Sequence, residues 1–407
     1  MIVAVYARGS ATPVEIARAA RPLGGVTFVV EPGRDPFVEG TLPLLRRLGR
    51  VITVDDESLE DTAIAIGSQA LGLVTFADTT QLLASRLAAR LGCRFHDEPT
   101  ARLLIDKLAQ RTRLRETGLC RVDAVPTGIC AGDLPTPQLP YPFVIKPRSG
   151  SGSEQMALVR DASDFVSAAT TLDLTRDYLA ETLMTAGEPI AAGLADYVSV
   201  ESLAGETILH LGITARLPLA PPFRETGAVF PYVASGILEQ DMYALAERAI
   251  RAVGLESGLV HTEIKLSDDG PQVVEVNGRL GGKIAGLMSR VGMDDPVAIA
   301  VRASVGAPRP PRLRRARGVA LDYWHQPPVP ATSIDALPDL RDVTTMPGVC
   351  AARATVRAGS PVDWRLGTKS RVAEIELLAS SHRDVMDRYR NVRRFLDAHS
   401  RWGGRLS

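Results

Sequence analysis

Over the first ninety or so residues, short apolar runs alternate with segments whose apolar residues recur every three to four positions. The runs are "IVAVYA", "VTFVV", "VITVD" and "LGLVTF", and the helical segments lie near Pro13–Ala20, Leu42–Leu48 and Leu82–Leu91. Buried strands alternating with amphipathic helices predict a parallel sheet. The first strand is not followed by GxGxxG, so the dinucleotide-binding fingerprint is missing. A helix is expected from Glu98 to a C-cap at Gly118. After the proline-rich passage "GDLPTPQLPYP" comes a strand ending at Lys146, a loop of small residues over Ser149–Ser153, and a returning strand at Met156–Val159. Past Val305, "GAPRPPRLRRARG" reads as a linker. It leads to strand-like "VALDYW" and a charged terminal helix.

Two later stretches alternate with period two. In "VVEVNGRLGGK", Glu275, Asn277 and Arg279 share one face, with Val274 and Val276 on the other. In "LVHTEIKL", His261, Glu263 and Lys265 share a face, and the turn "SDDGP" joins the two runs. A hairpin symmetric about Asp269 sets Glu263 opposite Glu275 and His261 opposite Asn277. Carboxylates facing each other across a ladder repel, so either one is protonated or a cation lies between them. Hard oxygen donors beside an amide suit Mg2+ or Mn2+. A solvated polar face is the alternative, and a one-residue slip would separate the pair. The Ser149–Ser153 loop leaves backbone N–H groups free to approach an anion. It is no P-loop, because GxxxxGK[ST] is absent, and an ordinary hairpin loop is its other reading.

Composition narrows the function classes. The chain has 407 residues with 47 Lys+Arg and 47 Asp+Glu, enough for two or three subdomains and with no net field toward nucleic acid or a membrane surface. A small-molecule task fits better. Cys93, Cys120, Cys130 and Cys350 form no CxxC pair and no metal spacing with the six histidines, which suits a reduced cytoplasm. No stretch approaches about 18 consecutive apolar residues, and the N-terminus lacks a leader pattern. The basic run Arg312–Gly318 has no interleaved aromatics and reads as a solvated linker.

Order along the chain adds a resemblance. Lys107 in "IDKLAQR", Lys146 with its glycine-rich loop, Glu181 in "YLAETLM", then "HTEIK" and "EVNGRLGG" resemble the ATP-grasp superfamily across Asp97–Val305. The stretches "DYVSVES", "ITARLPLAPPFRETG" and "HTEIKLSDDGPQVVEVNGRLGG" look most like its L-amino acid ligase (carboxylate–amine ligase) branch. The resemblance implies an α/β (α+β ATP-grasp) fold: a preceding α/β domain over 1–95, a small lobe over 96–180, a large lobe with the metal site over 181–305, and a linker with a C-terminal α+β portion over 306–407.

It also implies roles. Lys107 and Lys146 would contact ATP phosphates. Ser149, Gly150, Ser151, Gly152 and Ser153 would close over them, and Glu181 would meet adenine or ribose. Glu263, Glu275 and Asn277 would hold Mg2+ or Mn2+, while Arg279 and Arg216 would neutralise an acyl phosphate. His261 would stand beside the metal ligands rather than among them. In "PPFRETG", up to Gly227, Arg224 would bind a substrate carboxylate and Glu225 an ammonium, or the two would form an internal ion pair. Lys283 would reach the substrate or lie on the surface. Two departures stand out: Glu154-Gln155 in place of a basic residue and a further glycine, and a longer chain between Glu181 and Glu201. The implied activity is ATP-dependent carboxylate–amine ligation in the cytoplasm, through an acyl phosphate with release of ADP and phosphate. Its partners would be small-molecule acids and amines, with no nucleic acid and no membrane, and a homodimer is admissible. The alternatives are a carboxylase or purine-pathway ligase, and a non-catalytic ATP-binding protein.

Overall fold

The computed structural model describes residues 1–33, 35–54, 59–127, 138–232, 236–307 and 312–404. Parts of the proline-rich passage (132–137) and of the linker (308–311), and Cys130, lie outside the described residues. The first domain alternates β1 (Ile2–Val5), α1 (Pro13–Ala20), β2 (Val26–Val30), α2 (Pro36–Leu48), β3 (Arg50–Thr53), α3 (Leu59–Ile66), β4 (Gly72–Thr75) and α4 (Gln81–Leu91). Its sheet is parallel in the order β3-β2-β1-β4, as the alternation predicts. Thr12 starts α1 with a capping box: its hydroxyl accepts from the Glu15 N–H and the Glu15 carboxylate accepts from the Thr12 N–H.

The helix expected over Glu98–Gly118 is two helices, α5 (Glu98–Ile105) and α6 (Lys107–Glu116). Asp106 breaks it. Its backbone is extended (φ −102°, ψ 101°) and its carboxylate accepts from the Leu108 and Ala109 N–H groups, the local competition that makes aspartate a cap former. Lys107 therefore stands at the first position of a helix and not in the middle of one.

The small lobe is an antiparallel sheet of β5 (Ala124–Thr127), β6 (Phe143–Pro147), β7 (Ala157–Val159) and β8 (Tyr178–Thr182), ordered β5-β8-β6-β7, with α7 (Ala162–Thr171) beside it. Period two sorts β6: Phe143 and Ile145 enter the lobe's core, while Val144 and Lys146 face the cleft.

The large lobe carries β9 (Tyr197–Ala204), β10 (Leu209–Arg216), β11 (Gly227–Phe230), α8 (Gly236–Ala252), β12 (Gly258–Ser267), β13 (Gly270–Asn277), α9 (Ile284–Arg290) and α10 (Pro296–Ser304). The chain continues through β14 (Val319–His325), β15 (Ser333–Ala336), α11 (Leu340–Thr344), β16 (Val349–Ala354), β17 (Ala373–Ala379), α12 (His382–His399) and β18 (Arg401–Gly403). One eight-stranded sheet runs β13-β12-β9-β10-β11-β14-β17-β16, so residues beyond 305 extend the sheet that carries the candidate site. Strands β15 and β18 pair separately. One apolar core joins the first domain to the large lobe: Ile2, Ala4 and Phe28 share it with Leu211, Phe230 and Leu287. No helix among the described residues is long and apolar enough to cross a membrane.

The hairpin β12–β13 sets His261 opposite Asn277 and Glu263 opposite Glu275, as the alternation predicts. Its symmetry point differs from the expected one. The turn is centred between Asp268 and Asp269, with Ser267 paired to Gly270, and a bulge leaves Val274 without a partner. Without the bulge, the register continued from that turn would put Glu263 opposite Val274. The bulge also moves Val274 off the face of Val276: Val273 and Val276 are buried in the core, while Val274 lines the cleft.

Strand β13 is an edge, and α6 covers it. Gln110 accepts from the Val276 N–H and donates to the Val276 carbonyl, both at 2.8 Å. Arg111 donates to the Val273 and Val274 carbonyls at 3.0 and 2.8 Å. Unpaired buried backbone groups are costly. Gln110→Leu would leave both Val276 groups without partners and is expected to lower unfolding stability by about 2–4 kcal/mol. Urea unfolding checks this, with the midpoint moving and the slope unchanged.

Candidate active site between the two sheets

A cleft of about 1230 Å3, its open mouth included, lies between the small-lobe sheet and the large-lobe sheet. Val144, Lys146, residues 149–154, and Thr182, Leu183 and Met184 line one side; Tyr197, Glu225, Glu263, Lys265, Glu275, Asn277 and Arg279 line the other. Lys107, at the start of α6, reaches in from the end.

Charges of opposite sign meet throughout. Lys107 Nζ pairs with Glu275 Oε1. Lys146 Nζ donates to Glu181 Oε1 at 2.7 Å, and Arg111 Nε donates to Glu181 Oε2 at 3.0 Å. Burial alone would raise the Glu181 pKa, but Arg111 and Lys146 hold it at about 2. Burial outweighs Glu181 at Lys146 and lowers its pKa, and Arg111 adds to the effect. At Lys107, burial is outweighed by Glu275, with Asp78 and Glu263 adding, and the pKa is raised.

On the large-lobe sheet, His261 Nδ1 lies 2.8 Å from Glu201 Oε1 and Nε2 lies 3.3 Å from Glu263 Oε1. Burial opposes a charge on His261, yet the two carboxylates lift its pKa to about 9. Glu263 is held at about 2 against burial by His261, Arg216 and Lys107. Arg279 is fixed by Asp78 of the first domain, with Nε donating at 2.7 Å, and its Nη1 donates to the Leu280 carbonyl at 2.9 Å. Glu225 Oε1 accepts from Arg216 Nε at 2.9 Å and from the Tyr197 hydroxyl at 3.2 Å.

Among the described residues, no group of three or more His, Cys, Asp or Glu could hold a metal ion. The candidate donor set is two carboxylates and an amide, Glu263, Glu275 and Asn277, which the hairpin register brings to one patch. All three donors are hard oxygens, and that chemistry fits a cation of the magnesium class.

Most of the expected residues meet in this cleft: Lys107, Lys146, Ser149, Gly150, Ser151, Gly152, Ser153, Glu181, Glu225, Glu263, Glu275, Asn277 and Arg279. Arg216 is buried behind it and touches it through Glu225. Three expected substrate residues lie elsewhere. Arg224 is 1% exposed, donating from Nε to the Pro221 carbonyl at 2.7 Å and from Nη1 to Ser370 Oγ at 3.2 Å. It braces the loop from within, and it is Arg216, not Arg224, that pairs with Glu225. Gly227 is a packing position, since a Cβ there would come 2.1 Å from the Asp322 carbonyl oxygen. Lys283 pairs with Glu374 at 3.1 Å, outside the cleft lining.

Asp78, Arg111, Tyr197, Lys265 and Thr368, whose hydroxyl accepts from the Glu225 N–H at 3.2 Å, are not among the expected residues. Arg111 carried a signal, standing four residues after Lys107 on the same helix face. Tyr197 and Lys265 sit inside stretches already singled out. Asp78 and Thr368 come from distant parts of the chain and carried none.

Residues 106–283 match the family model of the ATP-grasp domain. The fold is ATP-grasp. Among solved structures, an L-amino acid ligase from Bacillus licheniformis superposes on this chain with TM-score 0.75 at 19% identity, covering 99% of this chain and 98% of that one. A carboxyaminoimidazole ribonucleotide synthase from Aspergillus clavatus superposes with TM-score 0.70 at 15% identity, covering 98% of each chain. Both are likenesses of fold. In sequence, Gallus gallus carnosine synthase 1 is 30% identical over 183 residues, which is 42% of this chain and 19% of that protein. The ATP-grasp enzyme fsqD of Aspergillus fumigatus is 24% identical over 284 residues, 64% of this chain and 47% of that protein. The chain spans less than half the length of these curated relatives.

Two outcomes follow from the buried groups. The folded-state pKa of Glu181 is depressed from 4.5 to about 2, so its ion pairs stabilise the fold fully above pH 4.5 and progressively less as pH falls toward 2. Glu181→Gln is expected to cost about 3–5 kcal/mol at pH 7, and its melting deficit against the parent should shrink between pH 4.5 and pH 2. Arg224→Lys is expected to lower the melting temperature in the absence of ligand while leaving any nucleotide-induced shift intact, because the planar fork that reaches Pro221 and Ser370 is lost. Thermal melting with and without Mg-ATP separates the two effects.

Proposed function

We propose that the protein is an ATP-dependent carboxylate–amine ligase acting on an amino acid or a related carboxylate. The observation that carries this reading is one cleft in which Lys107, Lys146 and the 149–153 loop face Glu263, Glu275, Asn277 and Arg279. The fold of an L-amino acid ligase and the sequence likeness to carnosine synthase 1 support it.

In this reading the two lysines and the loop amides hold the triphosphate, and the end of β8, where Glu181 and Thr182–Met184 line the cleft, meets the base or ribose. A substrate carboxylate oxygen attacks the γ-phosphorus and ADP leaves, giving an acyl phosphate. The amine nitrogen then attacks the acyl carbon, phosphate leaves, and the nitrogen gives up a proton. Glu263, Glu275 and Asn277 would hold a divalent cation, which when bound supplies charge neutralisation for the phosphate oxygens. Arg279, oriented by Asp78, offsets negative charge on the transferring group. Glu225 offers the cleft a carboxylate for a substrate ammonium, with Arg216 and Tyr197 fixing its direction. Catalysis by such a site is positioning and electrostatics, as in other phosphoryl transfers.

The deciding assay is ADP and phosphate release across a panel of amino acids, offered singly and in pairs, with mass spectrometry of the products. An amide product equimolar with ADP is expected; ADP release coupled only to bicarbonate would make the protein a carboxylase instead. Glu275→Gln is expected to abolish turnover at temperatures where the variant is still folded and, because it takes away the partner of Lys107, to lower the melting temperature; near-parent rates would remove Glu275 from the cation site. Mg-ATP at about 100-fold excess over Kd should stabilise the parent by about 2.7 kcal/mol, and Lys146→Ala should lose most of that shift.

A further inference from the structure

The glycine-rich loop and the loop carrying Glu225 come from different lobes, yet both rest on one short stretch near the C-terminus. Trp364–Ser370 is a 3-10 segment kinked at Gly367 (φ 61°, ψ −137°). On one side, the Thr368 N–H donates to the Gly152 carbonyl at 2.7 Å, and the Gln155 N–H donates to the Arg365 carbonyl at 2.9 Å. Lys369 pairs with Glu154. The contact is flush: a Cβ on Gly367 would come 2.1 Å from the Gly152 oxygen. On the other side, the hydroxyl of the same Thr368 accepts from the Glu225 N–H at 3.2 Å. Gln326 ties the two together, its amide donating to the carbonyls of Glu225 and Thr368 at 2.8 and 3.3 Å.

From this placement we infer that Trp364–Ser370 is a clamp through which the phosphate loop and the Glu225 loop fix each other's positions, with Thr368 as the shared positioning residue. The inference rests on the nucleotide reading proposed above. Backbone atoms of Thr368 hold one loop and its side chain holds the other, so neither loop can shift without moving the residue that supports its counterpart. In a two-substrate reaction this coupling makes closure over phosphate and presentation of Glu225 a single event. Thr368 itself touches no reacting atom.

Hydrogen exchange read by mass spectrometry on the full chain, with Mg-ADP as the probe, tests the clamp. In the parent, Mg-ADP should slow exchange at 182–184, at 149–155 and at the Glu225 amide. Thr368→Val keeps the backbone contact to Gly152 but removes the acceptor for Glu225. Exchange at Glu225 should rise about three- to tenfold, and the nucleotide-induced slowing at 149–155 should weaken; Thr368→Ser should restore both. Lys369→Glu should speed exchange at 149–155 about two- to fivefold and weaken the nucleotide effect at Glu225, and adding Glu154→Lys should reverse this. Slowing at each loop that ignores variants on the opposite side, with 182–184 still protected, overturns the clamp alone. No protection at 182–184 overturns the nucleotide reading and the clamp with it.

Discussion

Arg111 joins three parts of the molecule that are distant in sequence. Its guanidinium donates to Glu181 of the small lobe and to the carbonyls of Val273 and Val274 on the large-lobe edge strand. Gln110 and Lys107, on the same face of α6, add contacts to Val276 and Glu275. One helix face thus sets the register of β13 against the small lobe. The bulge at Val274 lies where Arg111 takes a carbonyl, so the irregularity that turns Glu275 toward Glu263 is pinned by a buried, fully charged side chain.

Under the proposed function the cleft needs both signs of charge at close range, and such groups are expensive to bury unless paired. Here they pair with one another: Lys107 with Glu275, Lys146 and Arg111 with Glu181, Arg279 with Asp78, and His261 with Glu201 and Glu263. Under the proposed function, phosphate competes with Glu275 for Lys107 while a cation competes with Lys107 for Glu275. The two exchanges offset each other, since each liberated charge finds a partner on the other ligand. The pairs with Asp78 and Glu201 serve differently, because they fix Arg279 and His261 from behind.

What could be read from the chain divides along a physical line. Period two is local, so the common face of Glu275, Asn277 and Arg279 was legible from a few residues, whereas the facing of Glu263 with Glu275 rested on an assumed turn centre and holds because the bulge makes up the difference. The Val274 bulge was not legible, because it depends on a turn centre that "SDDGP" leaves ambiguous and on Arg111 more than a hundred residues away. In "PPFRETG", the sequence left two readings open, an arginine and a glutamate acting together on a substrate or pairing with each other. The backbone instead folds Arg224 inward to Ser370 and leaves Glu225 to Arg216 on the neighbouring strand. The C-terminal hundred residues looked least informative because strand pairing is non-local; only the register of β14 on β11 shows that they complete the same sheet.

The unusual Glu154-Gln155 pair after the glycine-rich loop now has a structural account. Ser153 and Gln155 both adopt left-handed backbone, φ 58° and 53°, where a non-glycine residue costs roughly 1–2 kcal/mol. Glycine would remove that strain but also the contacts that offset it: the Gln155 side chain accepts from the Asp173 N–H at 3.0 Å, and Glu154 lies between Lys369 and Arg176. Of the two cations paired with Glu154, Arg176 lines the cleft, and Lys369 belongs to the C-terminal segment whose Thr368 accepts from the Glu225 N–H. Under the proposed function, the loop's hold on phosphate then depends on the same stretch that holds Glu225.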